Sequence, residues 1–151
     1  DEKQMIFNVF KFSDRSVQSV ITPWSKVFRL DEGCTVTEAL TQVRKNTFSR
    51  IPVISQKDQS VIGILYTKEL LKLLLDSQVS VDTEALKKAT FPPYFVSSHK
   101  KISRLFREFK QKKIHMALVV NEYGQYLGVV TLEDLLNALF QTQHKVEGTP
   151  S

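Results

Sequence analysis

Two rhythms of hydrophobic and polar positions run along this chain, and they come in the same order twice. Val36, Ala39, Leu40 and Val43 recur at the spacing of one helical face, behind Thr35-Val36-Thr37-Glu38, which has the form of a capping box. A short apolar run from Ile51 to Ile54, a turn at Lys57-Asp58-Gln59-Ser60 and a second run from Val61 to Tyr66 predict two strands. A closing helix follows, with Leu70, Leu71, Leu73, Leu74 and Leu75. Further on, Ile102, Leu105, Phe106 and Phe109 form another helical stripe, with Ser98 as its candidate cap and Arg104, Arg107, Lys110 and Gln111 toward water. Met116 to Val120, the turn Asn121-Glu122-Tyr123-Gly124, a strand through Gly128 and a helix with Leu135, Leu136, Leu139 and Phe140 complete the second round. Each round reads as helix, strand, strand, helix.

The two rounds align residue by residue. A shift of 65 lays Val61-Ile62-Gly63-Ile64-Leu65-Tyr66-Thr67-Lys68-Glu69-Leu70 over Tyr126-Leu127-Gly128-Val129-Val130-Thr131-Leu132-Glu133-Asp134-Leu135. The same shift puts Arg50-Ile51-Pro52-Val53 over His115-Met116-Ala117-Leu118. Val36, Leu40 and Val43 match Ile102, Phe106 and Phe109 at a shift of 66, so one residue is gained or lost between the segments. The strands are nearly continuous in apolar character, as strands covered on both faces are. The expected fold is therefore α/β (α+β), with two copies of one unit packed pseudo-symmetrically into a single domain. Its expected parts are a helical lead-in over 1–19 (Met5, Ile6, Phe7, Val9, Phe10, Phe12), a first unit over 20–78, a second over 79–140 and a polar tail over 141–151. The closing helices hold more leucine than one stripe needs, which predicts burial on more than one side, by core packing or by self-association.

Composition narrows the class without naming a function. The 151 residues carry 21 Lys+Arg against 16 Asp+Glu, a net charge of +5, and 42% are hydrophobic, as in an ordinary globular chain. One cysteine, Cys34, cannot close an intrachain disulfide and has no zinc-ligand company, so a reducing compartment is expected. The longest apolar runs fall far short of the roughly 20 residues that span a bilayer. The chain opens on Asp1 with no charged-then-apolar leader, so no secretory signal is expected and the chain reads as a piece of something longer. Arg104, Arg107, Lys110, Lys112 and Lys113 form the densest basic stretch, either a solvated helix face or a contact for phosphate or nucleic acid.

Two places carry candidate chemistry. In Gly128-Val129-Val130-Thr131-Leu132-Glu133-Asp134 a strand runs straight into a helix, whose first N–H groups and dipole favour an anion. Thr131 adds a hydroxyl there, and Asp134 a carboxylate able to accept ribose hydroxyls. The same Thr-x-x-Asp is also a capping box, so capping and ligand binding both remain open. The first copy has Tyr66 and Glu69 at these places, so the hydroxyl–acid pair occurs once. The second place is Thr47-Phe48-Ser49-Arg50, where Arg50 offers a planar fork for phosphate oxygens or for a surface carboxylate. His115, at the aligned place, reads as a fold residue. His99, His115 and His144 lie in no metal-ligand spacing, and no nucleophile or phosphate-loop motif is present, so the chain is not expected to be an enzyme.

The repeat, with Ser49-Arg50-Ile51-Pro52-Val53 and Gly-hydrophobic-hydrophobic-Thr-x-x-Asp, resembles a pair of CBS motifs, two βαββα-type units forming a Bateman module. Val20-Ile21-Thr22-Pro23, Ile62 to Leu70 and His115 to Gly124 are similar, more narrowly, to the CBS pair of the CorC/CorB/CNNM family of magnesium and cobalt transport proteins, which includes haemolysin-like proteins. That resemblance covers about residues 1 to 140. It implies an adenine nucleotide, ATP or AMP with or without Mg2+, held in a cleft between the motifs. Asp134 would hold the ribose, Thr131 would lie near ribose and phosphate, Phe48, Ser49 and Arg50 would face the phosphates, and Ile21 and Thr22 would flank the adenine. It further implies a homodimer through the CBS helices and an upstream membrane domain, with this part on the cytoplasmic side. The alternative is a structural dimerisation module with a vestigial pocket, and nucleic acid is not the expected partner.

Overall fold

The computed structural model describes residues 15–46, 48–75 and 83–138; the lead-in from Met5 to Phe12, Thr47, Leu139, Phe140, His144 and the polar tail lie outside the described residues. In chain order, β1 (Thr22–Pro23), β2 (Leu30–Asp31), α1 (Val36–Asn46), β3 (Arg50–Ile54), β4 (Val61–Tyr66) and α2 (Thr67–Leu75) come first. Then follow α3 (Thr83–Lys88), β5 (Thr90–Phe91), β6 (Phe95–Ser97), α4 (Ile102–Lys112), β7 (Met116–Val120), β8 (Tyr126–Thr131) and a last helix, α5, described over 132–138. The βαββα order occurs twice, as β2-α1-β3-β4-α2 and as β6-α4-β7-β8-α5.

Two sheets result, each the core of one compact unit. Among the described residues, one unit falls within 28–93, and the other joins 15–27 to 94–138. In the first, the strand order is β2-β3-β4-β5, with β2 parallel to β3 and the rest antiparallel. In the second it is β6-β7-β8-β1, with β6 parallel to β7 and β1 antiparallel to β8. Division in space therefore departs from order along the chain: β1, far upstream, closes the second copy's sheet as β5 closes the first copy's. Leu30, Val36, Ala39, Ile51, Leu65 and Leu70 form the core of one unit. Val17, Ile102, Leu105, Phe109, Val119, Val130 and Leu135 form that of the other. Each fully buried aliphatic or phenyl side chain here contributes about 1.5–3 kcal/mol relative to exposure.

The strand registers correct the alignment of the repeat. β3 pairs Arg50 with Tyr66 and Val53 with Gly63; β7 pairs Met116 with Thr131 and Val119 with Gly128. The first strands are thus related by a shift of 66 and the second by 65, so the extra residue lies in the hairpin turn. Met116, not His115, stands where Arg50 does. His115 corresponds to Ser49, and both carbonyls do the same work: Ser49 accepts from the Thr67 N–H at 3.1 Å and His115 from the Leu132 N–H at 3.0 Å. A slip of one residue moves every side chain of a strand to its other face, which is why the ungapped reading mispaired them.

Helix entry also differs between copies. Around α1 the capping box forms, Thr35 Oγ1 accepting from the Glu38 N–H and Glu38 Oε2 from the Thr35 N–H, both at 3.1 Å. A shift of 66 puts Lys101 in the place of Thr35, and Lys101 is the N-cap of α4 without a side-chain cap. Ser98, the expected cap, is three residues too early; it is buried and its N–H donates to the Val120 carbonyl at 3.0 Å. The upstream segment takes over instead, the Arg15 carbonyl accepting from the Ile102 N–H at 3.0 Å.

Arg104, Arg107, Lys110 and Gln111 are exposed on α4, as expected. Glu108, on the same helix, turns inward. It accepts from Lys100 Nζ at 2.6 Å and from the Tyr94 hydroxyl at 2.7 Å, with Arg104 Nε at 3.5 Å. Burial pushes the Glu108 carboxyl up, but the Lys100 and Tyr94 hydrogen bonds and the Lys100 and Arg104 charges outweigh it and hold the group below its ordinary value. Burial, then the Glu108 bond, push the Tyr94 hydroxyl up to about 12, so it stays a neutral donor. A carboxyl held low in the folded chain stabilises it above the unfolded value, and that stability is lost as pH falls through the folded value. The denaturation midpoint is expected to drop on acidification below 4.5. Glu108→Gln, less stable at neutral pH, should lose less over the same interval in a urea titration.

Candidate functional site

Four of the residues expected at a nucleotide site meet within the unit built on β6-β7-β8-β1. β8 ends at Thr131 and α5 begins at once, so Asp134 lies one turn beyond the threonine. β1 runs antiparallel along β8, with Thr22 opposite Val129 and Pro23 opposite Gly128, which carries Ile21 alongside the Thr131 end of the strand. This approach requires glycine: a Cβ at Gly128 would overlap the Thr22 carbonyl oxygen and lie 3.2 Å from Ile21 Cδ1. Gly63 does the same for β5, where a Cβ would overlap the Thr90 side chain. Ile21 packs on the core beneath, while Thr22, Thr131 and Asp134 are half-buried.

Thr131 and Asp134 form the capping box in full. The Thr131 N–H donates to Asp134 Oδ2 at 2.9 Å, and the Asp134 N–H donates to Thr131 Oγ1 at 3.2 Å. With Leu132 donating to His115, three donors of the helix start are already used. These three N–H groups are therefore not orphaned, and orphan donors are the ones that bind phosphate. What remains for a ligand is side-chain capacity. The cap needs one carboxylate oxygen of the two, and the Thr131 hydroxyl, an acceptor in the cap, still has its own proton to donate.

The other three residues lie in the unit built on β2-β3-β4-β5. Phe48 is 44% exposed and stacks on Phe28, with ring centroids 5.6 Å apart. Ser49 is exposed, and its carbonyl takes both the N–H and the Oγ1 of Thr67, at 3.1 and 3.2 Å. Arg50 opens β3 with its guanidinium carbon 5.4 Å from the Tyr66 ring centroid. Its Nε is buried and, among the described residues, has no hydrogen-bond partner. The surface carboxylate considered for it is therefore not what holds it; the Tyr66 ring is. In this copy the positions matching Thr131 and Thr22 are Tyr66 and Phe91, whose rings pack 4.6 Å apart, and Glu69 is 3.5 Å from Lys72 Nζ. The aromatic pair thus fills the first copy's counterpart of the Thr131 corner. The role of Tyr66 was not legible beforehand, since its partnership with Arg50 depends on strand register.

Other reactive groups are placed unremarkably. Among the described residues no group of three or more His, Cys, Asp or Glu could hold a metal ion. Burial, with the Glu38 and Asp31 carboxylates, pushes the Cys34 thiol up, away from thiolate chemistry. His99 is exposed, its Nε2 3.8 Å from Glu122. No helix among the described residues is long and apolar enough to cross a membrane.

Comparison with known proteins gives these features a setting. A family model described as the CBS domain matches residues 17–76 and 86–141. The magnesium and cobalt efflux protein CorC of Escherichia coli K12 is 31% identical over 140 residues, 92% of this chain and 47% of its own length. The CBS domain of a bacterial CNNM/CorC-family Mg2+ transporter, solved in complex with ATP, matches with a TM-score of 0.78 and 26% identity, over 93% of this chain and 98% of that one. A CBS-domain pair from Klebsiella pneumoniae with bound AMP matches at 0.72 with 25% identity, over 83% and 98%. The chain spans about half or less of the length of the curated relatives it matches.

Gly128 is the residue on which the first group of site residues depends. Gly128→Ala is expected to force β1 away from β8 and to cost about 1–3 kcal/mol in a urea titration, as overpacking does. Unchanged stability would mean that β1 is not held as described.

Proposed function

We propose, from the premise that this chain belongs to the CBS-domain family and carries its motif as a tandem pair, that it is a non-catalytic adenine-nucleotide-binding regulatory module. It would serve as the cytoplasmic part of a divalent-cation transporter of the CorC/CNNM kind, moving magnesium or cobalt. The observation that carries this reading is the corner where Thr131 ends β8 and Asp134 lies on the first turn of α5, beside Ile21 and Thr22. Asp134 would accept the ribose hydroxyls, Thr131 would donate toward ribose and phosphate, and Ile21 and Thr22 would flank the adenine. The related CBS domain solved in complex with ATP and the CBS-domain pair with bound AMP support the choice of ligand class.

Phosphate recognition is assigned to Phe48, Ser49 and Arg50, chiefly to Arg50. Its support here is the buried, unpartnered Nε, since a desolvated donor left unmatched is costly and an anion would match it. Any Mg2+ would be carried by the phosphates; no protein ligand for it is assigned. Regulation would follow if the nucleotide favours one packing of the module over another, because a ligand shifts an equilibrium only by its differential affinity.

Self-association through the leucine-rich closing helices is proposed alongside. Leu70 is fully buried, while Leu71 and Leu75 on the same helix are 52% and 88% exposed. These two are the leucines that the unit's own core does not use.

A second reading, a structural dimerisation module with a vestigial pocket, draws on the complete capping box, which gives Thr131 and Asp134 a role without ligand. Calorimetry separates the two. Asp134→Ala should bind ATP about ten- to a hundredfold more weakly, the loss of a charge-assisted hydrogen bond of roughly 1.5–3 kcal/mol. Without nucleotide the same change should cost about 1 kcal/mol as a lost cap. Saturating Mg-ATP, at about a hundred times its dissociation constant, should stabilise the parent chain by roughly 2.7 kcal/mol; no stabilisation would leave only the structural reading. For the dimer, Leu71→Lys with Leu75→Lys should sediment as a monomer at concentrations where the parent chain is dimeric.

A further inference from the structure

We propose that Tyr66 is a positioning residue for phosphate recognition, its ring holding the Arg50 guanidinium in place with its N–H donors left for the ligand; this rests on the nucleotide reading above. Arg50 and Tyr66 are directly paired across β3 and β4, and the guanidinium carbon lies 5.4 Å from the ring centroid. A cation held over a ring is attracted by the ring's charge distribution and needs no oxygen acceptor, so the contact does not satisfy the guanidinium's N–H donors. A carboxylate partner would have occupied those donors; the ring leaves them for an anion. The buried Nε without a partner among the described residues is one of them.

The ring is itself fixed. Phe91 packs on it at 4.6 Å and 45°, and the Tyr66 N–H donates to the Ala89 carbonyl at 3.0 Å. Phe91 belongs to β5, whose pairing with β4 sets Ile64 opposite Phe91. β5, β4 and β3 therefore support the arginine in sequence, through Phe91, Tyr66 and Arg50. A long, flexible side chain is thereby restricted before any ligand arrives, which lowers the ordering cost of binding. The hairpin does not need this pair for its own formation, because the second hairpin has the same register with Met116 opposite Thr131.

The test is calorimetric titration of the whole chain with ATP and with adenosine, which lacks phosphate. Tyr66→Leu is expected to weaken ATP about three- to tenfold, the range of a cation–π contact, and to leave adenosine unchanged. Tyr66→Phe, which keeps the ring, should restore ATP affinity. In an Arg50→Ala background Tyr66→Leu should have no further effect, because it acts through the arginine. Equal losses for ATP and adenosine, or losses that add in the double variant, would overturn the proposal. Should Tyr66→Leu melt below the working temperature, Tyr66→Met serves in the same comparison. Arg50→Ala with undiminished ATP affinity would instead remove Arg50 from the site and count against the nucleotide reading itself.

Discussion

The close passage of β1 over Gly128 is the constraint on which the candidate site depends. Only a residue without a side chain lets the Thr22 carbonyl approach β8 so nearly, and only that approach carries Ile21 to the end of the strand where Thr131 and Asp134 stand. The same contact closes the sheet, giving β8 a neighbour on each side. Fold and site thus share one requirement, and the first copy meets it with Gly63 under β5.

Hydrogen-bond accounting then divides the work among the site residues. At the junction of β8 and α5 three backbone donors are used by the fold, taken by Asp134 Oδ2, the His115 carbonyl and Thr131 Oγ1. A rigid, capped junction presents side-chain atoms rather than backbone amides, and suits sugar hydroxyls better than a bare phosphate. The cationic residue expected for phosphate belongs to the other unit, on its own scaffold of aromatic rings. There the buried Nε of Arg50 is a standing cost that an anion would relieve.

Much of this was legible from the residues alone. The stripe of Val36, Ala39 and Val43, the capping box at Thr35 and the turn at Asn121 rest on local spacing, which folding left in place. The repeat at a shift of 65 located Gly128, Thr131 and Asp134 as one group, and their resemblance to CBS motifs agreed with the family model over 17–76 and 86–141. The errors fell where one residue changes everything. A turn of six residues between β3 and β4, 55–60, against five between β7 and β8, 121–125, displaced His115 onto Arg50's place.

What the sequence determined by itself is the order of elements, the duplication and the chemical types gathered near each strand end, because periodicity and capping act over three or four residues. Tertiary structure decided which distant segments become neighbours. It brought Ile21 and Thr22 to the second copy's sheet, spent the helix-start donors on the fold and laid Arg50 against Tyr66. Those outcomes depend on strand register and on which hydrogen bonds close, and both are settled by pairing across the chain rather than along it.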